Sequence, residues 1–250
     1  MALQEEFESQ GNFLFRYRSF LPLFIILAGI AVFIFNHFDE NKNTMLNYDM
    51  VESFSLLMSF TGLGIRVYTV GHAPANTSGR NTKEGQIAEE LNTTGIYSVV
   101  RHPLYLGNFF MWLGPAILTE DFWFVISFIL FYGLYYERIM YAEEQFLRKK
   151  FGSVYTEWAA RVPAIVPALT GFIEPKYQFS IKKVLRKEKN GLLAIFVLLF
   201  VFHNLCYSFQ QQQITIAFDW VLWTMIAAAI IYFVLRFMRR KTNLLNEDGR

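Results

Sequence analysis

Residues 104–141 read LYLGNFFMWLGPAILTEDFWFVISFILFYGLYYERIMY, two apolar blocks separated only by Thr119-Glu120-Asp121. As a helix, the first block (104–119) would be about 24 Å long, less than the ~30 Å hydrocarbon core of a bilayer. The stretch therefore predicts a tight helical hairpin packed inside a membrane protein, with a plain tilted span as the alternative. Gly107 and Gly114 lie two turns apart on one face of that helix, which would let another helix approach closely.

The rest of the 250-residue chain has the same character. It is 54% hydrophobic and 18% charged, whereas soluble domains are about 45–50% apolar and about 25% charged. In lipid the backbone must satisfy its own hydrogen bonds, so each apolar block should be a helix. The sequence predicts an all-α polytopic membrane protein with about six transmembrane helices, and it excludes a soluble Rossmann enzyme and a disordered chain. The predicted spans are 20–38, 50–70, 104–119, 121–141, 191–209 and 217–238.

The positive charges predict the orientation of these spans. Alternate connecting segments hold 22 of the 23 Lys and Arg residues, and the opposite side holds only Lys42. By the positive-inside rule, both termini are expected to be cytoplasmic. Three early glutamates and the lack of a small-residue cleavage pattern argue against a cleavable signal peptide. We expect a bacterial inner (plasma) membrane, or the endoplasmic reticulum in a eukaryote.

Cysteine and histidine are too sparse for a metal centre. The chain has one cysteine, Cys206, and four scattered histidines. A disulfide framework and a cysteine-based metal site within one chain are therefore excluded, and no metal is expected. The partner expected is a membrane with a lipid or lipid-linked substrate, not nucleic acid.

Two cytoplasmic stretches carry the residues most suited to chemistry. The first ends in Arg101-His102-Pro103, where Pro103 favours a helix start. Because the positive end of that helix favours an anion, Arg101 could bind a carboxylate or phosphate there. A lone Arg-His-Pro motif would be weak evidence for a substrate or cofactor site, since arginines at the membrane interface commonly bind lipid headgroups.

The second stretch continues the apolar block 121–141 into Glu143-Glu144 without a turn signal. Ionisable residues at that depth usually face a polar cavity or a partner. At helical spacing Tyr141 shares a face with Glu144, and Arg138 lies on an adjoining face; snorkelling at the interface is the alternative. After this helix we predict a stop at Gly152 and a short interfacial helix to residue 160. Its Tyr155 and Trp158 are interpreted as membrane anchors.

Together, the two stretches resemble the isoprenylcysteine carboxyl methyltransferase family and its phospholipid methyltransferase relatives. The resemblance covers about residues 93–168. The elements that carry it are Tyr97, Arg101-His102-Pro103, Tyr105, Gly107, Arg138, Glu143-Glu144, Leu147, Phe151-Gly152, Tyr155 and Pro167.

The resemblance implies a pocket for S-adenosylmethionine at the cytosolic membrane face. It implies that Glu143 or Glu144 holds the ammonium or ribose hydroxyls of this cofactor and that Arg101 faces the acceptor. Arg101, Glu144 and Arg138 are the expected catalytic residues, and Tyr141 joins Arg101 as an expected acceptor contact. The other expected cofactor contacts are Tyr97, His102, Pro103, Tyr105 and Gly107.

The chain is expected to divide into four parts. Residues 1–19 would be a cytoplasmic tail, and 20–92 two spans and a cytoplasmic loop. Residues 93–168 would be the methyltransferase core, and 169–250 a basic linker with a two-span hairpin interpreted as scaffold or dimer surface. In the loop 71–82 we hypothesise that Arg80 and Asn81 help to bind an anionic acceptor headgroup; a flexible connector is the alternative.

The expected activity is S-adenosylmethionine-dependent methyl transfer to an anionic lipid-linked group. The acceptor could be a lipid phosphate, such as that of lipid A, or a prenylcysteine-type carboxylate. An amine acceptor would need to lose a proton and would therefore require a base. Three alternatives remain open: a phospholipid amine N-methyltransferase, an NADPH-dependent sterol-reductase-like enzyme and a non-catalytic membrane scaffold.

Overall fold

The computed structural model describes residues 2–38, 48–74 and 88–247. Within these ranges the chain forms α-helices, one short 3-10 helix (Ile96–Ser98) and no strand, which confirms the predicted all-α class. The helices are α1 (Leu3–Tyr17), α2 (Leu21–Phe38), α3 (Tyr48–His72), α4 (Pro103–Ile117), α5 (Phe122–Phe151), α6 (Ser153–Ala159), α7 (Ile181–Gln211) and α8 (Trp220–Lys241).

All six predicted apolar blocks form helices, but fewer are full-length spans. Among the described residues, α3, α5, α7 and α8 are long and apolar enough to cross a membrane. Helices α1 and α2 meet at 75° and give a fifth span only if they are taken as one bent element. Helix α4 has 15 residues, so it is about 22 Å long and shorter than the hydrocarbon core. The protein is an integral membrane protein.

Helices α4 and α5 form the predicted hairpin. Its turn contains Glu120, with a φ of 53°. Asp121 caps α5 by accepting a hydrogen bond from the Phe124 N–H (2.7 Å) and another from the Asn36 amide (3.0 Å). Helix α5 has 30 residues and is therefore about 45 Å long, which exceeds the thickness of the apolar core. Its last turns, with Glu143 and Glu144, extend beyond that core.

Small residues bring α3 against α4, as the glycine spacing predicted. A Cβ added to Gly62 would meet the Gly107 carbonyl and lie 2.5 Å from the Met111 nitrogen. Gly114 lies against Ser59 in the same way. This close approach of the two backbones is the arrangement that small residues permit in membrane helices, and it carries Arg66 of α3 to the side of α4.

A buried polar cluster joins the C-terminal hairpin to α3. His203 of α7 lies between Glu52 of α3 (2.6 Å) and Asp219, the N-cap of α8 (2.7 Å). Glu52 is 3% exposed, and a buried carboxylate is stable only when it is paired and hydrogen-bonded. The cluster therefore fixes the positions of three helices relative to one another.

Two segments differ from the sequence-based expectation. The first nineteen residues, predicted to be a tail, contain α1, which packs along α5 with Phe15 buried. The basic linker is the start of α7, and its Lys183 is 2% exposed. The Lys183 ammonium donates hydrogen bonds to the carbonyls of Ala73 and Pro74, just after the end of α3. Such a lysine satisfies carbonyls that the helix end leaves without partners.

We predict that Gly62→Ala lowers the stability of the protein by about 1–3 kcal/mol, because the added methyl group must displace helix backbone. Thermal unfolding in detergent measures the effect. Gly64→Ala is the matched control, since a Cβ at Gly64 meets nothing within 4 Å and alanine favours the helix. Equal unfolding temperatures for the two variants would contradict the close α3–α4 contact.

Candidate active site

The Arg-His-Pro turn forms the start of α4. Pro103 is the first residue of the helix, a position where the missing N–H costs nothing. The backbone N–H groups of Arg101 and His102 donate hydrogen bonds to the carbonyls of Pro163 (2.9 Å) and Ala164 (3.1 Å). The extended segment after α6 therefore lies against the turn and fixes its backbone.

Glu144 of α5 binds both side chains of this turn. Its carboxylate accepts a hydrogen bond from Arg101 Nη1 (3.0 Å) and lies 2.9 Å from His102 Nε2. His102 is 7% exposed, and a buried polar ring needs such a partner. The structure thus brings Arg101, His102 and Glu144 together across 42 positions of sequence.

The neighbouring Glu143 contacts the next turn of α4. The Tyr105 hydroxyl donates a hydrogen bond to Glu143 Oε2 (2.9 Å), and His102 Nδ1 lies 3.8 Å from the same oxygen. The side chain of Glu143 is 26% exposed. Its carboxylate is therefore fixed by α4 and still accessible to a ligand.

Aromatic side chains line the site next to these carboxylates. Tyr155 and Trp158 of α6 are buried and contact Leu147 and Tyr97, and the Trp158 indole donates a hydrogen bond to the Tyr97 carbonyl (3.2 Å). The interpretation of Tyr155 and Trp158 as membrane anchors is wrong, because both rings face the protein. Burial raises the pKa of the Tyr155 hydroxyl, and the Glu144 carboxylate adds to that rise. Tyr155 therefore remains a neutral phenol at physiological pH.

These groups surround a cavity of about 330 Å³, within the range of ~300–1,000 Å³ for small-molecule sites. One buried polar atom beside it, Arg101 Nε, has no hydrogen-bond partner among the described residues. Buried polar atoms of this kind are stabilised when a ligand satisfies them. The expected cofactor contacts that line the cavity are Tyr97, His102, Pro103, Tyr105 and Glu143.

The sequence of this chain is similar to those of known membrane methyltransferases. The sequence pattern of the phospholipid methyltransferase family matches residues 53–154. The cobalt-zinc-cadmium resistance protein CzcN of Cupriavidus metallidurans is 30% identical over 64% of this chain and 68% of its own length. The chain belongs to the isoprenylcysteine/phospholipid methyltransferase family.

Two enzymes of this methyltransferase family match a shorter part of the chain. The protein-S-isoprenylcysteine O-methyltransferase of Schizosaccharomyces pombe is 36% identical over 32% of this chain and 34% of the enzyme. Protein-S-isoprenylcysteine O-methyltransferase B of Arabidopsis thaliana is 39% identical over 31% of this chain and 40% of the enzyme. No solved structure matches the chain.

Segments outside the matched family region also line the cavity. Phe15 and Arg18 come from α1 and the residue after it, and Lys187 and Glu188 come from α7. The interpretation of the C-terminal hairpin as scaffold alone is therefore incomplete. These residues lie far in sequence from the Arg-His-Pro and Glu-Glu motifs, and no motif around them indicates that they belong to the site.

Arg66 was also missed in the sequence analysis. Its guanidinium donates two hydrogen bonds of 2.8 Å to the Glu188 carboxylate and a third to the Asn108 side chain (2.6 Å). This bidentate pair connects α3, α4 and α7 at the cavity wall. An arginine inside the apolar block 50–70 was a usable signal, because an ionisable residue at such a position usually faces a partner; the partner could not be identified.

Four expected site residues among those described are not part of the cavity wall. One is Glu144, which binds Arg101 and His102, two residues that do line the cavity. Arg138 stacks on the Phe7 ring (3.5 Å) and pairs with Glu137, and Tyr141 contacts the edge of Phe7. Both therefore hold α1 against α5 and do not line the cavity, because the α5 face that bears them is covered by α1. Gly107 also does not line the cavity: a Cβ there would lie 2.6 Å from Arg66 Cγ, so it serves the α3–α4 contact.

The remaining predictions concern Arg80, Asn81 and the absence of a metal. Arg80 and Asn81 lie outside the described residues, so their part in acceptor binding stays a prediction. Across residues 2–38, 48–74 and 88–247, no group of three or more His, Cys, Asp or Glu side chains could hold a metal ion.

We predict that Glu188→Gln destabilises the protein by about 3 kcal/mol, because it leaves the Arg66 charge without its anion in a largely buried position. The side chain of Glu188 is 5% exposed and that of Arg66 22%. Thermal unfolding in detergent measures the loss. The control is Glu137→Gln, whose side chain is 60% exposed in its pair with Arg138 and should change stability by less than about 1 kcal/mol.

The double variant Arg66→Met/Glu188→Leu should recover much of this loss, since apolar residues of similar volume replace a buried ion pair at little cost. If Glu188→Gln unfolds at the wild-type temperature, the pair does not hold the three helices together.

Proposed function

We propose that this protein is an S-adenosylmethionine-dependent methyltransferase that methylates an anionic oxygen of a lipid-linked acceptor. The observation that carries the proposal is the cavity in which the Arg-His-Pro turn of α4 meets Glu143 and Glu144 of α5. The cavity belongs to a membrane protein whose relatives include protein-S-isoprenylcysteine O-methyltransferases. A site at the ends of membrane helices is open to a water-soluble donor and to an acceptor anchored in lipid.

The residues around the cavity fit S-adenosylmethionine. Its ammonium and ribose hydroxyls need carboxylates, which Glu143 offers. Its carboxylate needs hydrogen-bond donors, and the Arg101 guanidinium and the Tyr155 hydroxyl both belong to residues that line the cavity. Its adenine can pack against aromatic rings such as Tyr97 and Trp158. When bound, the cofactor supplies a methyl group activated by a sulfonium.

For methyl transfer to an anionic oxygen, the protein needs mainly to orient the two reactants and to exclude water. A carboxylate or phosphate oxygen is ionised at pH 7, so the attacking group needs no general base. A negative nucleophile and a positive donor neutralise each other as the methyl group moves. A dry site that aligns them supplies most of the acceleration. We assign Arg101 to this alignment, with Glu144 as the residue that positions it.

We further propose that the cavity and both termini face the cytosol. The distribution of Lys and Arg supports this orientation. A reporter fused to the C-terminus tests it, because a periplasmic or luminal signal from that reporter would reverse the assignment.

The first prediction of this proposal concerns the donor. S-adenosylhomocysteine should bind the purified protein in calorimetry, whereas NADPH should not, because Glu143 would repel its 2′-phosphate. Glu143→Gln should weaken S-adenosylhomocysteine binding by about tenfold or more, the value of a hydrogen bond to a charged group.

The exposed Glu137→Gln is the matched control and should bind S-adenosylhomocysteine as the wild type does. Binding of NADPH alone would favour the reductase alternative, and binding of neither compound would favour a scaffold.

The second prediction concerns the acceptor. Purified protein in mixed micelles should transfer a radioactive methyl group from S-adenosylmethionine to N-acetyl-farnesylcysteine or to dodecyl phosphate. The first product identifies a carboxylate acceptor and the second a phosphate acceptor. Transfer to phosphatidylethanolamine alone would show instead an amine N-methyltransferase.

A further inference from the structure

Helix α1 brings a guanidinium to the cavity from outside the matched family region. Phe15, near the C-terminal end of α1, and Arg18, one residue beyond it, both line the cavity. The family pattern begins at residue 53. Nothing in the resemblance or the comparisons therefore assigns a function to Arg18.

The position of Arg18 is fixed because α1 is docked in a defined register on α5. A Cβ on Gly11 would lie 2.7 Å from the Ala142 Cβ, so the two backbones are in close contact. The Tyr135 hydroxyl donates a hydrogen bond to the Leu14 carbonyl (3.1 Å). About one turn before Gly11, Glu8 pairs with Lys149 of α5 (2.5 Å).

The cavity wall has two chemically different parts. One part comes from segments outside the apolar spans and includes Glu90, Tyr97, Tyr155 and Trp158. There, hydrogen bonds from Lys176 and Tyr177 lower the pKa of Glu90, which therefore stays ionised. This part combines aromatic rings with the Glu90 carboxylate, which suits the donor.

The other part comes from the ends of the membrane helices and is cationic. Its charged side chains are those of Arg18, Arg66, Lys187, Glu188 and Glu143 of α5, three cations and two carboxylates. The Glu188 charge is matched by Arg66, which gives it two hydrogen bonds. Arg18 and Lys187 add two further positive charges to this part of the cavity wall.

The geometry of Arg18 suits an anion. Its guanidinium stacks on the Phe15 ring, with Cζ 3.9 Å from the ring centroid. This cation–π contact restrains a side chain that lines the cavity. A restrained, planar fork of donors binds carboxylate or phosphate oxygens in a bidentate manner.

We propose that Arg18 binds the anionic group of the methyl acceptor, so that α1 is the element that selects a negatively charged substrate. This inference rests on the proposed methyltransferase function. The ligand chemistry is an anionic oxygen pair, from either a carboxylate or a phosphate, on a lipid anchor.

The test compares Arg18→Gln with wild type in the methyl-transfer assay, using N-acetyl-farnesylcysteine in one arm and dodecyl phosphate in the other. In the arm that wild type methylates, Arg18→Gln should raise KM for the acceptor by about 10- to 100-fold. Its affinity for S-adenosylhomocysteine should stay at the wild-type value, which also shows that the variant is folded. Arg18→Lys keeps the positive charge but loses the planar fork of donors. Its KM for the acceptor should therefore lie between those of wild type and Arg18→Gln.

The matched control is Arg16→Gln, which removes an exposed arginine from the same helix and should leave KM unchanged. A second readout uses binding of the acceptor in the absence of donor. Wild type should prefer N-acetyl-farnesylcysteine to its uncharged carboxamide, and Arg18→Gln should lose that preference.

The outcomes separate this inference from the proposed function. An unchanged KM in Arg18→Gln, with wild type active, overturns the assignment of Arg18 and leaves the methyltransferase intact. A loss of S-adenosylhomocysteine affinity would instead place Arg18 in the donor site and also overturns it. Failure of wild type to bind S-adenosylhomocysteine, or to methylate either anionic probe, refutes the proposed function and this inference with it.

Discussion

The carboxylate of Glu144 binds Arg101 and His102 at once, and this three-way contact determines where the rest of the site can lie. The contact requires α5 to continue past the apolar core, because a helix that ended at the membrane surface would not carry Glu144 to the level of the turn. It also requires a fixed turn, which the carbonyls of Pro163 and Ala164 provide. Groups this buried are costly without partners, so the hairpin, the turn and the extended segment after α6 are stable in this arrangement only together.

The sequence was sufficient for the parts of this arrangement that depend on local chemistry. The apolar blocks predicted the helices, because lipid leaves the backbone no other structure. Gly107 and Gly114 predicted a close helix contact, and the structure shows it with Gly62 and Ser59 of α3. The family motif identified His102, Tyr105 and Glu143, all of which line the cavity.

The sequence was least informative about which side chains of a long helix line the site, for a physical reason. Helical spacing groups Tyr141 with Glu144 on one face, yet it does not say which helix covers which part of that face. Helix α1 covers the part with Arg138 and Tyr141, and its amphipathic sequence gives no hint of its partner. The Arg66–Glu188 pair joins positions 122 residues apart, so only the packed fold reveals it.

The family pattern covers one part of the cavity wall more fully than the other. The family pattern matches residues 53–154, a region that supplies Tyr97, the Arg-His-Pro turn and Glu143 of α5 to the cavity wall. Phe15, Arg18, Lys187 and Glu188 lie outside that region and form much of the membrane-helix side of the cavity. In the function proposed above, the matched region would therefore hold and align the donor. The proposal of an anionic acceptor rests instead on the chemistry of the segments around α1 and α7 in this chain, where guanidinium and ammonium groups would favour an anion over an amine.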